Sequence, residues 1–286
     1  MSVSTAPLEK PPEDFRPDRQ ETMAPRGSGP QIEIARGVHL DWQVGQHINA
    51  RNLTTGLVTF ERGARLDYHT HPCSESITVL EGSALVCVEE RQYQLLPYDN
   101  VTIPAGKPHA AYQVGDKPAL LHVALASEAP PREPAEGYAN LQEMPRETQT
   151  HPRGERATFF DSAHHYSPGP AADFVDYFNA SLIPGCEMSG GFGKFGNGGR
   201  LPAHIHDFDE SICIVEGQAV CMVEGREYAM DGRATALQPR GRVHYFINRS
   251  GEAMAMIWVY AGPMPERIVV EERCGNEPGA AWGEEQ

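Results

Sequence analysis

Eight residues of this chain have types and spacings that suit metal coordination: His69, His71, Glu75 and His109, then His204, His206, Glu210 and His244. Two histidines one residue apart leave the same face of a strand, so His69/His71 and His204/His206 each form a ligand pair. Pro72 then interrupts the strand, and Glu75 follows after a short turn, near enough to fold back toward both imidazoles. His109 lies 38 residues after His71, beyond a meander and the IPAG turn, where closure of a small barrel brings a later strand alongside the first. Three neutral imidazoles and one carboxylate suit iron, manganese, nickel, copper, cobalt or zinc. A lone His-x-His pair is more often surface or packing; recurrence of the whole set in both halves argues against that. His39, His47, His122, His151, His164 and His165 lack such company and read as hydrogen-bonded or exposed.

Such a centre is catalytic only if it keeps coordination positions open. Four protein ligands on an octahedral ion leave two, and one carboxylate does not cancel the charge of a divalent ion. The expected substrate is a small anionic or chelating molecule. Glu75 and Glu210 are the catalytic candidates, because each either stays bound or shifts to take a proton.

The elements that must carry these ligands are short strands. ITVLEGSALVCVEERQYQLLPYDNVTIPAG and ICIVEGQAVCMVEGREYAM show β-branched runs broken by turn residues, the pattern of a small antiparallel barrel or sandwich. No segment shows a long amphipathic helix. His69 to His204 is a step of 135 residues, and the same step relates His71 to His206, Glu75 to Glu210, Gly82 to Gly217, Pro104 to Pro239 and His109 to His244. So many identities at one step indicate duplication, and the halves share one fold. Residues 1–30, rich in Pro and charge, are expected to form a flexible N-terminal arm or one that docks on another subunit. Residues 31–126 are the first domain, 127–156 an interdomain linker with one short helix near residues 138–144, and 157–286 the second domain with the C-terminal segment.

Gly63-x5-His69-x-His71-x3-Glu75-x6-Gly82 and Gly198-x5-His204-x-His206-x3-Glu210-x6-Gly217 resemble the complete first motif of the cupin superfamily. IPAGKPH and QPRGRVH, ending at His109 and His244, resemble its second motif. The chain is similar to the bicupins over nearly everything after the N-terminal tail. That resemblance implies an all-β fold of two tandem cupin, jelly-roll-like β-barrels, each holding a divalent transition metal through three His and one Glu. Two departures stand out. The second motif usually opens with Gly where this chain has Tyr98 and Arg233, and usually closes with Asn where it has Gln113 and Asn248.

Strand alternation puts Ala111 and Gln113 in step with His109, Phe246 and Asn248 with His244, and Ile77 and Ile212 with the glutamates. The apolar four fit ordinary barrel core equally well. Gln113 and Asn248 are substrate-binding candidates, since a buried amide needs a partner; Phe246 and Arg51 are the others, with Lys194 and Arg200 as further cations for an anionic substrate. SGGFGKFGNGGR, residues 189–200, lacks the Gly-Lys-Ser/Thr ending of a phosphate loop and reads as a bending strand. Bicupins resembling this chain include ring-cleaving dioxygenases, so a metal-dependent dioxygenase acting on a small anionic or chelating substrate, with Fe(II) as first metal, leads. Lyase, isomerase, decarboxylase or aminohydrolase chemistry is the alternative, and a non-enzymatic metal- or small-molecule-binding protein is the third reading.

A formal net charge of -15 over 286 residues argues against general attraction to nucleic acid or anionic membrane. No apolar run reaches membrane-spanning length, and no basic-then-apolar leader opens the sequence, so a cytoplasmic location is the expectation. The 6 cysteines form no CxxC pair and read as free thiols. Barrel edges need covering, which points to a homodimer or larger homo-oligomer.

Overall fold

The computed structural model describes residues 6–283; the first five residues of the expected arm and the last three of the chain lie outside the described residues. The first half runs β1 (Thr22–Ala24), β2 (Gln31–Ala35), β3 (Val38–Val44), β4 (Thr54–Phe60), β5 (Arg65–Thr70), β6 (Glu75–Glu81), β7 (Ala84–Val88), β8 (Arg91–Leu95), β9 (Asn100–Ile103), β10 (His109–Gln113) and β11 (Ala119–Leu125). The connecting segment adds β12 (Glu133–Pro134), β13 (Gln142–Glu143), β14 (Gln149–Thr150) and β15 (Arg156–Thr158). The second half runs β16 (His165–Tyr166), β17 (Ala172–Phe178), β18 (Ser189–Phe195), β19 (His204–Ile205), β20 (Glu210–Glu216), β21 (Ala219–Val223), β22 (Arg226–Met230), β23 (Thr235–Gln238), β24 (His244–Ile247), β25 (Met254–Tyr260) and β26 (Ile268–Val269).

Each half is two facing sheets. The first pairs β14-β15-β9-β6-β11-β4-β3-β2 with β12-β5-β10-β7-β8-β13, and the second pairs β1-β23-β20-β25-β18-β17-β16 with β22-β21-β24-β19-β26. Strands β6, β11, β20 and β25 are buried almost throughout, which requires cover on both faces. Ile77, Val79, Leu121 and Val123 point into the first barrel's core. The alternate residues Leu80, Leu120 and Ala124 meet Tyr177, Cys213, Val215 and Ile257 of the second half in a separate apolar cluster. The two barrels are thus welded by a core of their own. His122 faces this side too, buried with its Nε2 unpartnered, neither hydrogen-bonded there nor exposed as expected. Burial pushes it down to about 4, so it is neutral.

The seam explains Tyr98 and Arg233. Both keep the left-handed backbone that their glycine-favouring position demands, with φ of 70° and 73°, at a cost that something must offset. Tyr98 donates its hydroxyl to Glu216, and Arg233 donates from Nη2 to Glu81 at 2.7 Å. Both pairs are related by the 135-residue step, so each half reaches for the other's glutamate. Gly82 and Gly217, by contrast, cannot change: a Cβ there would strike the carbonyl oxygens of Pro118 and Ala253.

Two further expectations are corrected. The described part of the N-terminal stretch, expected to be flexible or to dock on another subunit, docks on the second barrel of its own chain: β1 pairs with β23. Asp209, its side chain 1% exposed, accepts two 2.7 Å bonds from Arg19 as well as the backbone N–H groups of Arg51 and Arg240. Glu21 likewise accepts from Arg226 at 2.6 Å and Tyr228 at 2.8 Å. Buried carboxylates need such partners, and the arm is what brings them together. Arg19→Ala is accordingly expected to cost about 3 kcal/mol of stability, by leaving Asp209 short of its charge partner. Chemical denaturation together with limited proteolysis of the first thirty or so residues measures this; an unchanged midpoint and an unchanged cleavage rate would contradict the docking.

The segment 127–156 is no loose linker and holds no helix near residues 138–144. It lies extended along the first barrel, with β12 on β5, β13 on β8 and β15 on β9. Met144 packs against the first core, which an extended chain with few apolar residues achieves one side chain at a time.

Candidate metal centres

In each half the four expected ligands converge. The ligand atoms of His69, His71, Glu75 and His109 lie within 4.8 Å of one another, as do those of His204, His206, Glu210 and His244, and all eight residues are buried. The strands explain why. His69 on β5 faces His109 on β10 as a direct antiparallel pair, and His204 on β19 faces His244 on β24 in the same way. Glu75 and Glu210 come from the opposite sheet, at the first residues of β6 and β20.

The imidazoles are oriented from behind. His69 Nδ1 bonds to Asp67 O at 2.8 Å, His71 Nδ1 to Pro131 O at 2.6 Å and His109 Nδ1 to Lys107 O at 2.8 Å. The second half repeats this with Pro202 O, Glu266 O and Arg242 O. Since a carbonyl only accepts, each Nδ1 carries the proton and each Nε2 turns a lone pair inward. Burial pushes His69 down to about 4, aided by neighbouring His109. Burial alone would raise Glu75, but His109, His71 and His69 bring its carboxyl down to about 2; burial and two imidazoles act on Glu210 with the same net lowering.

An ionised Glu75 and a neutral His69 are the ligand forms a metal requires, whereas at His109 burial is outweighed by the adjoining Glu75 carboxylate, which raises that imidazole. Glu75 Oε2 stands 2.7 Å from His109 Nε2 and 3.5 Å from His71 Nε2, yet neither Glu75 Oε2 nor His109 Nε2 has an aligned hydrogen-bond partner. His206 Nε2 is unpartnered as well. Buried acceptors facing one another are stable only around a cation. Three nitrogens and one oxygen at each point fit a divalent transition ion.

The space beside the two centres differs sharply. The first opens on a cavity of about 240 Å³ whose walls include Leu40, Trp42, Val58, Ala111, Val123 and Leu125. The second has about 20 Å³. The 135-residue step turns Ala111 into Phe246, Val123 into Trp258 and Leu125 into Tyr260. The strand pairings put Phe174 where the first half has Leu40, opposite Gly193 instead of Val58. A Cβ on Gly193 would lie 2.7 Å from the Phe174 ring, so that glycine makes room for the larger wall. His206 is further hemmed in by Tyr260 at 4.3 Å and Phe208 at 5.4 Å between ring centroids; the step relates Phe208 to Cys73.

The remaining candidates separate. Phe246 lines the second cavity, as do Ile212 there and Ile77 and Ala111 in the first. Gln113 and Asn248 are not brought to either cavity, because their amides tie loops together. Gln113 accepts from Gly63 N–H and donates to the carbonyls of Val114, Gly115 and Lys117. Asn248 donates to Phe195 O and Glu252 O. Arg51 is paired with Asp18 on the surface, Lys194 with Glu216 and Arg200 with Glu272. The residues missed from sequence are the walls Leu40, Trp42, Val58, Val123 and Leu125 and, at the mouth of the first cavity, Ile32, Ile34, Pro130 and Arg132. A signal existed: the step continues into the supposed linker, relating Pro130 to Pro265 and Arg132 to Arg267.

Comparisons with known proteins agree with this architecture. The cupin domain family matches residues 56–125 and again 191–260. Among solved structures, the chain is similar to the formate complex of oxalate decarboxylase from Lactobacillus farciminis, at 15% identity over 86% of this chain and 88% of that one, with a TM-score of 0.69. It is similar to Bacillus subtilis oxalate decarboxylase, studied for its Mn(II) centres, at 13% identity over 91% of this chain and 82% of that one, TM-score 0.69. AerE from Microcystis aeruginosa is similar at 13% identity over 83% of this chain and 97% of that one, TM-score 0.60. No curated protein matches in sequence. Identities this low speak to the fold. Among the described residues no helix is long and apolar enough to cross a membrane, and all 6 cysteines are free and buried.

Proposed function

Because the chain is a bicupin, two cupin domains in tandem, we propose that it is a metal-dependent enzyme whose first barrel carries out non-redox chemistry on a small organic acid. The reaction class is a lyase, decarboxylase or isomerase step beside a carboxylate or carbonyl. The observation that carries this reading is the apolar cavity of about 240 Å³ that opens onto His69, His71, Glu75 and His109, while the second centre is packed shut. A closed four-ligand centre is structural and an open one is catalytic. The oxalate decarboxylases that share the fold favour non-redox chemistry over the dioxygenase expectation, though the walls here are more apolar than a substrate as small and polar as oxalate needs.

The ion would be held by the Nε2 atoms of the three histidines and by the Glu75 carboxylate. Bound there, it supplies positive charge that polarises a carboxylate or carbonyl oxygen and favours the negative charge that develops on it. The chain does the rest. Leu40, Val58, Val123 and Leu125 exclude water and strengthen the electrostatics within the cavity. The carbonyls behind the rings fix the imidazoles before substrate arrives. Glu75 is the only acidic residue lining the cavity among the described residues, and so its carboxylate is the group placed to take or return a proton.

A dioxygenase is the second reading, favoured by one observation: a largely apolar pocket beside the centre also suits molecular oxygen. One experiment separates the two. Protein loaded in turn with Mn(II), Fe(II), Co(II) and Zn(II) is presented with small carboxylic and keto acids, with and without oxygen. Turnover that persists without oxygen, with no oxygen uptake, is the expected result. Strict dependence on oxygen would replace this reading with the second, and no turnover with any metal would favour a binding protein.

A further inference from the structure

The first cavity has one charged side chain at its mouth that no metal ligand accounts for. Arg132 sits on a strap, residues 129–134, that leaves the barrel after β11 and crosses the opening. Pro131 O accepts the 2.6 Å bond from His71 Nδ1, and β12 pairs with Thr70 and His69 on β5. The strap is therefore fixed against two metal ligands on one side. On the other, Arg132 Nη2 donates to Ile34 O at 3.0 Å, and Ile32 and Ile34 form the facing lip. Among the described residues, no carboxylate lies within ion-pair distance of Arg132. Besides the ligand histidines, Arg132 is the one basic side chain among the residues lining this cavity, and the donors it does not spend on Ile34 O are available to an anion.

We propose that Arg132 is a specificity-determining residue that takes a second anionic group of the substrate at the mouth of the first cavity. This rests on the reading of that cavity as the substrate site, and it names the substrate class. The molecule has an oxygen-chelating head at the Glu75 centre, a short apolar body along Val58, Val123 and Leu125, and a terminal carboxylate on Arg132. Guanidinium matches carboxylate geometry with two parallel donors, whereas the aliphatic walls offer a charged group nothing. The duplicate arginine makes an internal control. Arg267 occupies the equivalent strap position, but it does not line the second cavity, which is filled with aromatic side chains.

The test measures binding to the full-length Mn(II)-loaded protein by calorimetry, not turnover. α-Keto dicarboxylates of increasing chain length are each compared with the α-keto monocarboxylate of the same length. At the matching length the dicarboxylate is expected to bind about tenfold tighter. Arg132→Gln should erase that preference without changing monocarboxylate affinity, Arg132→Lys should restore part of it, and Arg267→Gln should leave it intact. Equal binding of both acids to the unmodified protein, or a preference that survives in Arg132→Gln, overturns the role of Arg132 while the cavity remains the acid site. Failure of every acid to bind overturns the site itself, and this role with it.

Discussion

Ala111→Phe is expected to lower turnover by about a hundredfold or more while both metal centres stay loaded, because it blocks substrate positioning and leaves ligation alone. Ala111 lies two residues after the ligand His109 on β10, with its methyl facing the cavity. The second barrel has already made this change: Phe246 stands at the same step from His244, and its cavity is about 20 Å³. The first barrel has about 240 Å³ to receive the ring, so the fold should tolerate it with less strain than an overpacked core. Elemental analysis should still find about two equivalents of metal per chain, one per closed ligand set. Retention of full activity would mean that catalysis does not use this cavity. The reverse change, Phe246→Ala, should destabilise by about 3–5 kcal/mol, since that ring fills a closed core.

The second large effect separates the two centres. His71→Ala and His206→Ala are each expected to lower metal content from about two equivalents to about one, because each removes one of four ligands from an independent site. Their consequences should differ. His71→Ala should abolish turnover with modest loss of stability, as it opens an already hollow site. His206→Ala should leave turnover largely intact but lower the unfolding midpoint, because its imidazole packs in a three-ring cluster with Phe208 and Tyr260 and is oriented by Glu266 O. A chelator should reproduce that loss of stability in the unmodified protein. Loss of activity in His206→Ala with metal still at the first centre and an unchanged midpoint would assign catalysis to the second barrel.

The reach of the sequence is clearest at the ligands. His-x-His with a glutamate four residues on, and a histidine beyond the meander, is a local pattern that strand geometry turns into convergence. A single constant step also exposed the duplication. The same step ran on to Arg132 and Arg267, but a Pro-rich stretch with little apolar content reads as linker until its backbone is seen pairing with β5. Gln113 and Asn248 illustrate the opposite failure. A buried amide in step with a ligand needs partners, and alternation could not say that loop carbonyls supply them. Tyr98 and Arg233 looked like departures from a glycine position, because their partners, Glu216 and Glu81, lie in the other half.

By itself, then, the sequence determined the residue types at both centres, the strand class that carries them and the equivalence of the two halves, since these depend on neighbours a few residues apart and on one repeating step. Only the tertiary structure decided which centre is open. Cavity volume is what remains after side chains from several non-adjacent strands have packed toward one point: Leu40, Val58, Ala111, Val123 and Leu125 leave room, whereas Phe174, Phe246, Trp258 and Tyr260 leave almost none. No ligand changes between the halves, so the difference lies wholly in long-range packing.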